Sequence, residues 1–443
     1  MSLRLFESLA TTELLAEVFS DASLLASMLR FEVALARAEA RVGVIPVAAA
    51  DRIADAAVVD AFDPAAIARV ARASGTIAIP LVERLTARVR AANPDGATFV
   101  HWGATSQDVS DTALVLCLVR ARRILVADHE RLASALRRLS DQHAGSVMLA
   151  RTLLQPAPPI TFGLKVAGWF GAVSRGGARV DSAFNDACVL QFGGASGTLA
   201  ALGAHGLTVA EELARELELT NPDAPWHAHR DRLASLAGAC GVYTGTLGKI
   251  ARDVALLMQH EVGEVAEPGG ASSTMPHKRN PAGCAIALAA AIRVPGLVST
   301  FLSGMPQEHE RGVGGWHAEA ATIAAIVQAT GAALAALADA IEALSVDAGR
   351  MRANIAATRG MVFAERAMTL LAPELGRDVA SRLIARALDV TRREGHNFVE
   401  TLAADAEVAA VLAHADLSSL GTPEAYLGAA EQLRRRLMNI ERG

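Results

Sequence analysis

The sequence predicts an all-α protein built around a long central bundle of five helices. Two observations predict this class. The hydrophobic residues make up 52% of the chain and are dominated by Ala and Leu, whereas aromatic residues make up only 4%. Ala and Leu have the lowest free-energy cost in a helix, and the strand-favouring residues are not clustered. The second observation is the presence of long segments without Gly or Pro in which leucines recur at helical spacing.

Short helices are expected first, in an N-terminal helical domain that we place at residues 1–109. Asp21 is the predicted N-cap of a helix that Gly43 ends, since Asp favours helix starts and Gly favours helix ends. Asp63-Pro64 combines an N-cap with a proline in the first helical turn. A further helix reaches about Ala92.

The central domain is predicted at residues 110–350 because its helical patterns are much longer. Residues 104–144 contain neither Gly nor Pro, and a helix starting at about Ser110 would span roughly 50 Å at about 1.5 Å per residue. Four more long patterns complete the bundle. They cover residues 159–190, 227–267, 281–303 and 316–345. Beyond Met351 the patterns shorten, which predicts a C-terminal helical cap domain at residues 351–443.

The bundle helices are apolar on more than one face, which predicts a homo-oligomer because a monomer could not cover that surface. Ala320–Ala338 is uncharged and as long as a membrane span. Most of it is Ala, which is only weakly lipophilic, so we interpret it as a buried bundle helix and expect no membrane partner.

Composition excludes several other classes of function. The net charge is −5 with acids and bases interleaved, so no basic surface predicts nucleic-acid binding. The four cysteines have no paired spacing, so we expect neither disulfides nor a metal site. Residues 1–10 contain Arg4 and Glu7 and no apolar run typical of a signal peptide, which favours the cytoplasm.

The segment Gly269–Pro281 is the most informative for chemistry. It is polar and glycine-rich, carries three hydroxyl groups and a lysine, and lies between two long helical patterns. Such a loop can close over an anion and stabilise developing negative charge. An exposed connector is the alternative, but a much shorter segment would serve that purpose.

This segment resembles the signature loop of the fumarase/aspartase superfamily, which Ala271–Pro281 fits position by position. His101–Asp108 resembles the superfamily block that precedes the first bundle helix, and Arg151–Pro156 resembles the block before the second. The resemblance covers essentially the whole chain. It implies a homotetrameric helical core, active sites shared between subunits, a small polycarboxylate substrate and no cofactor.

The resemblance also implies roles for particular residues. Ser272 matches the serine that exchanges a proton with the carbon beside a substrate carboxylate. His101 matches a histidine of the lyases, and Lys278 matches a carboxylate-binding residue. We therefore predict these three as catalytic. The predicted substrate-binding residues are Thr105, Ser106, Gln155, Ser273, Met275, Asn280, Arg311 and Arg230.

Two departures from the superfamily pattern narrow the choice of reaction. A histidine and a glutamate that handle the leaving group's proton in the lyases are Leu153 and Ala285 here. A carboxylate leaving group needs no such proton, and Pro225–Asp231 and Pro306–Glu319 resemble the carboxymuconate cycloisomerase branch of the superfamily. Arg311 is expected to bind a carboxylate with its planar guanidinium.

Two alternatives remain from the sequence. An adenylosuccinate lyase type of activity would share the His101 block, but the tyrosine expected before the first long helix is missing, since Tyr243 and Tyr426 both lie elsewhere. A non-enzymatic protein like the lens crystallins of this superfamily is the other. The residue that replaces the lost histidine stays open among His101, His309 and His317.

Overall fold

The computed structural model describes residues 5–269, 275, 278–412 and 419–439, and it confirms the helical fold class. The helices in chain order are α1 (Glu13–Val18), α2 (Asp21–Val42), α3 (Val47–Ala56), α4 (Pro64–Ser74), α5 (Ala78–Ala92), α6 (Ser106–Gln142), α7 (Phe162–Ala187), α8 (Gly206–Leu217), α9 (Asp231–Leu257), α10 (Ala282–Ser303), α11 (Gly315–Glu342), α12 (Ala348–Ala357), α13 (Ala364–Leu375), α14 (Arg377–Glu394), α15 (Phe398–Ala403), α16 (Ala406–Val411) and α17 (Ala430–Met438).

The chain forms two compact units, each assembled from three sequence segments. The first comprises Met1–His129, Gly176–Gly248 and Ile286–Ala336, and the second comprises Glu130–Arg175, Lys249–Ala285 and Leu337–Gly443. The division into domains at residues 109/110 and 350/351 stays a prediction.

In the first unit, α2 packs against α8 and α3, and their apolar faces join those of α5 and the start of α6 in one core. The predicted N-cap of α2 is wrong by one residue. Ser20 is the cap, because its Oγ accepts a hydrogen bond from Ser23 N at 3.2 Å, and Asp21 is the first helical residue. There its charge still complements the positive end of the helix dipole.

The second unit contains strands that the sequence did not predict. β1 (Val147–Thr152) and β2 (Gln155–Thr161) form an antiparallel hairpin, and β3 (Val265–Ala266) pairs with β4 (Ser345–Val346). The helix predicted from residue 159 is therefore wrong at its start. It begins at Phe162, where Thr161 Oγ1 accepts a hydrogen bond from Leu164 N at 3.1 Å.

Two of the long helices are apolar enough, by length and composition, to cross a membrane. They are α10 and α11, each with a mean hydropathy of 1.8 in its most apolar 18 residues. Within the structure 56% of that stretch of α11 is buried, as in a core helix, but only 22% of that of α10. Ile292 of α10 is 75% exposed. The single chain thus leaves much of α10 uncovered.

Candidate active site

The N-terminal end of α6 is held by a buried carboxylate, Asp108. Its oxygens accept hydrogen bonds from Thr105 N (2.9 Å) and from the two N–H groups of Gly193-Gly194 (3.0 and 2.9 Å). His227 Nε2 lies 2.7 Å from Asp108 Oδ1. An acid that accepts from the N–H group three residues earlier forms one half of a capping box. Asp108 therefore fixes Thr105 and Ser106, two predicted substrate-binding residues, beside the Gly193-Gly194 turn.

The same turn is bound by Arg311. Its guanidinium donates hydrogen bonds to the carbonyl oxygens of Gly194, at 3.4 Å, and of Ala195. Gly194 has a φ of +67°, and a Cβ atom there would lie 2.7 Å from Gly103 O, so only glycine fits. Two predicted residues from distant parts of the sequence, Thr105 and Arg311, are thus brought to one turn.

His101 lies four residues before Thr105 and is paired with a buried acid of α2. Its Nδ1 is 2.6 Å from Glu32 Oε1, and the Glu32 side chain is 0% exposed. Burial alone would lower the pKa of His101, but the nearby carboxylates of Glu32 and, more weakly, Asp108 raise it. A cationic imidazole is therefore favoured at this position.

Arg230, predicted to bind substrate, is 1% exposed and is already bound by protein carboxylates. It donates to both oxygens of Asp111 (2.8 and 3.0 Å) and to Glu319 Oε2 (2.7 Å). Trp316 Nε1 also donates to Asp111, and Gln307 Nε2 donates to Glu319. These contacts give Arg230 a structural role, because they connect the starts of α6, α9 and α11.

The two acids of this cluster respond differently to burial. Burial would raise the pKa of Asp111, but the charge of Arg230, together with hydrogen bonds from Arg230, Trp316 and Gln191, outweighs this effect and lowers it. For Glu319 burial is the larger effect, and its pKa is raised. The positive charge of Arg230 thus outweighs the effect of burial at Asp111 but not at Glu319.

A cavity of about 550 Å³ borders this cluster. Most of its lining is apolar, and its polar residues are Asp111, Arg230 and Glu319 together with Arg72, Thr76, Ser110 and His317. His101, Thr105 and Arg311 do not line it. The volume would hold a small molecule.

The second unit holds the predicted residue Gln155, which is exposed at the start of β2. β1 is anchored next to it, because Arg151 donates to both oxygens of the buried Glu264 at 2.9 and 2.7 Å. The hairpin tip consists of Leu153 and Leu154, both with positive φ, and Leu153 is 97% exposed. Leu153 thus occupies the position of the missing histidine and offers no titratable group.

The loop after α9 joins α10 through a buried acid, Glu267. Its carboxylate accepts hydrogen bonds from Gly283 N and Cys284 N at 2.9 and 3.0 Å, which caps α10. Within the loop, Met275 and Lys278 are exposed and Asn280 is half-buried. The predicted residues Ser272 and Ser273 lie outside the described residues.

Most of the chain matches known protein families. A family model described as lyase matches residues 9–296, and a model described as adenylosuccinate lyase C-terminus matches residues 360–437. The chain belongs to the fumarase/aspartase superfamily of lyases.

Within this superfamily, two similar relatives are named 3-carboxy-cis,cis-muconate cycloisomerase. The one from Bradyrhizobium diazoefficiens is 48% identical and aligns over 95% of this chain and 94% of its own. The one from Pseudomonas aeruginosa is 46% identical, over 96% and 94%. The crystal structure of 3-carboxy-cis,cis-muconate lactonizing enzyme from Pseudomonas putida superposes with a TM-score of 0.93 at 43% identity, over 99% of this chain and 98% of that one.

Sequence reasoning missed the buried acids Glu32, Asp108 and Glu267, which hold predicted site residues or the elements next to them. Asp108 ends the predicted block His101–Asp108 without a predicted role, and the sequence predicts no role for Glu32 or Glu267. The available signal was a charged residue at an otherwise apolar helical position, as at Glu32 in the Ala-rich α2. Within the described ranges, no group of three His, Cys, Asp or Glu side chains is arranged to hold a metal.

Proposed function

We propose that the protein is a 3-carboxy-cis,cis-muconate cycloisomerase that forms carboxymuconolactone in the protocatechuate branch of the β-ketoadipate pathway. The observation that carries the proposal is the near full-length similarity to proteins of that name. The replacement of the lyases' proton-handling pair by Leu153 and Ala285 supports it, because a carboxylate that adds to a double bond has no proton to receive.

The reaction needs one new bond and one proton. A carboxylate oxygen of the substrate bonds to a diene carbon, and the electron pair of that double bond moves to the carbon beside another carboxylate. That carbon then takes a proton from Ser272 or from a water that Ser272 positions. Neither an oxidant nor a reductant is consumed, so we expect no cofactor.

Stabilising the charge that appears on the second carboxylate is the main task of the site. We assign Lys278 and Arg311 to neutralise the tricarboxylate. Thr105 and Ser106 would bind a carboxylate at the N-terminus of α6, whose N–H groups favour an anion. We assign the other contacts to Gln155, Ser273, Met275 and Asn280, and to Arg230 a supporting role through its bonds to Asp111 and Glu319.

The assay is the loss of diene absorbance in the ultraviolet when purified protein is mixed with 3-carboxy-cis,cis-muconate. We expect turnover by the wild type and a drop of about 100- to 10,000-fold in kcat for Ser272→Ala. Ser134→Ala, which changes an exposed serine of α6, is the matched control and should keep full activity. Near-normal turnover by Ser272→Ala would remove Ser272 from the mechanism, and no diene loss with the wild type would refute the function.

The second candidate is an adenylosuccinate lyase activity, favoured by the C-terminal match at residues 360–437. It predicts release of fumarate from adenylosuccinate under the same conditions. Fumarate production together with an unchanged muconate spectrum would decide for it.

We also propose that the protein is a cytoplasmic homotetramer whose active sites combine residues of several subunits. The support is α10, whose apolar residues such as Ile292 and Leu302 are exposed in the single chain. Light scattering during gel filtration should give about four times the chain mass of 46.1 kDa. A monomer mass would contradict this assembly.

A further inference from the structure

Glu32 and His101 form a pair that the reaction scheme above does not yet use. Glu32 lies on α2, and His101 lies in the turn before α6 with a φ of +60°. This left-handed backbone conformation is costly for a residue other than glycine, and such residues concentrate at functional sites. The 2.6 Å contact between His101 Nδ1 and Glu32 Oε1 fixes the ring of a side chain that is still 17% exposed.

The charges around this pair favour the cationic form of His101. Glu32 is fully buried, and its second oxygen, Oε2, has no hydrogen-bond partner in the described part of the chain. A buried carboxylate is costly unless a cation accompanies it. Asp108 adds a second negative charge near His101. Glu39, on the same face of α2 as Glu32, is protonated at neutral pH and therefore adds no charge.

We propose that Glu32 is a positioning residue, whose carboxylate orients His101 so that its cationic ring donates a hydrogen bond from Nε2–H to a carboxylate of the substrate. Nε2 is available for this bond, since within residues 5–269, 275, 278–412 and 419–439 it makes none. The inference rests on the proposed function for the identity of that substrate.

The structure also distinguishes His101 from the two other histidines considered for this role. His309 is exposed, and the ring of His317 packs edge-on against Trp316 with 5.0 Å between centroids. His101 has a buried acid behind its ring, and it precedes Thr105 by four residues. An imidazolium held by a buried acid is suited to binding an anionic substrate.

The sign of the pH dependence follows from the pair. Because Glu32 and Asp108 raise the pKa of His101, its cation persists to a higher pH than that of a free histidine. Substrate binding should therefore weaken as the pH rises through that pKa. Replacing Glu32 by glutamine keeps a hydrogen-bond acceptor for Nδ1–H but removes the charge, so the weakening should move to lower pH.

The test compares Glu32→Gln with Glu39→Gln, a matched change of a buried acid on the same helix that makes no hydrogen bond among the described residues. Hydrogen–deuterium exchange at the histidine ring carbon, followed by mass spectrometry, gives the pKa of His101 in each protein without substrate. The pH profile of kcat/KM on 3-carboxy-cis,cis-muconate gives the functional consequence.

We expect Glu32→Gln to lower the pKa of His101 and to move the alkaline limb of kcat/KM to lower pH. Between the limb of the variant and that of the wild type, kcat/KM of the variant should be about 10- to 100-fold lower, mainly through KM. Glu39→Gln should change neither. An unmoved pKa and limb in Glu32→Gln would overturn the inference, and so would a wild-type His101 pKa below the ordinary value of about 6.5. The exchange measurement needs no turnover, so failure of the proposed function is recognised separately, by wild-type protein that leaves the diene intact.

Discussion

The contribution of a single residue, Glu39, to the pH dependence of stability can be measured. Its side chain lies in α2 with 0% exposure, and in the described part of the chain neither carboxylate oxygen has a hydrogen-bond partner. Burial, reinforced by the nearby Glu32, raises its pKa from 4.5 to about 9. The folded protein therefore keeps this proton at neutral pH, whereas the unfolded chain releases it.

The magnitude follows from proton linkage. A raised pKa stabilises the folded protein fully below pH 4.5, and this contribution is lost as the pH rises from 4.5 to about 9. Each pH unit in that window costs about 1.4 kcal/mol, so at pH 7 the loss is about 3 kcal/mol. Glutamine cannot ionise, so Glu39→Gln removes this dependence.

The assay is urea unfolding followed by circular dichroism at pH 5, 7 and 8.5, at one fixed protein concentration. We expect the free energy of unfolding of Glu39→Gln, relative to wild type, to increase by about 1.4 kcal/mol per pH unit. Glu83→Gln, which changes an exposed acid of α5, should parallel the wild type. Parallel curves for Glu39→Gln and wild type would show that Glu39 is ionised in the folded protein and would refute the reasoning.

Two further substitutions test the packing of the first unit and the spacing in α7. Arg230→Met leaves Asp111 and Glu319 buried without a cation, so urea unfolding at pH 7 should show a loss of about 3–5 kcal/mol. A loss below about 1 kcal/mol would contradict the role given to this cluster. Gly177→Ala places a methyl group 2.2 Å from His129 Cε1, so we expect a destabilisation of about 1–3 kcal/mol and a lower Tm. A Cβ atom at Gly168 in the same helix would have no neighbour within 4 Å among the described residues outside its own helix backbone. Gly168→Ala should therefore raise Tm, and equal effects at the two glycines would contradict the steric reasoning.

The long helices could be predicted because their signals are local. The leucine spacing of α6 and the cap at Asp63-Pro64 lie within a few residues of the elements that they specify. The β1–β2 hairpin could not be predicted in the same way. Its tip is Leu153-Leu154 and not a glycine or asparagine pair, and the prolines from 156 to 159 are equally typical of a helix start.

Within the candidate site, residues and their partners differ in how far they can be predicted. His101, Thr105 and Arg311 could be selected because motifs contain them. The contact between Thr105 and Asp108 is local, but Glu32 could not be matched to His101, 69 positions away, nor Asp108 to His227, 119 positions away. Contacts over such distances depend on the packing of α2 and α6, which no local pattern specifies.

The carboxylate of Asp108 has a consequence for how this protein can change over time. It serves the N–H groups of Thr105 and of Gly193-Gly194 together with the imidazole of His227. A substitution at Asp108 would leave hydrogen-bond donors without an acceptor in three separate stretches of the chain. No single second substitution could provide acceptors for them all. We therefore expect residues in these three stretches to change only together during evolution. Substitutions that alter substrate preference should occur at other positions.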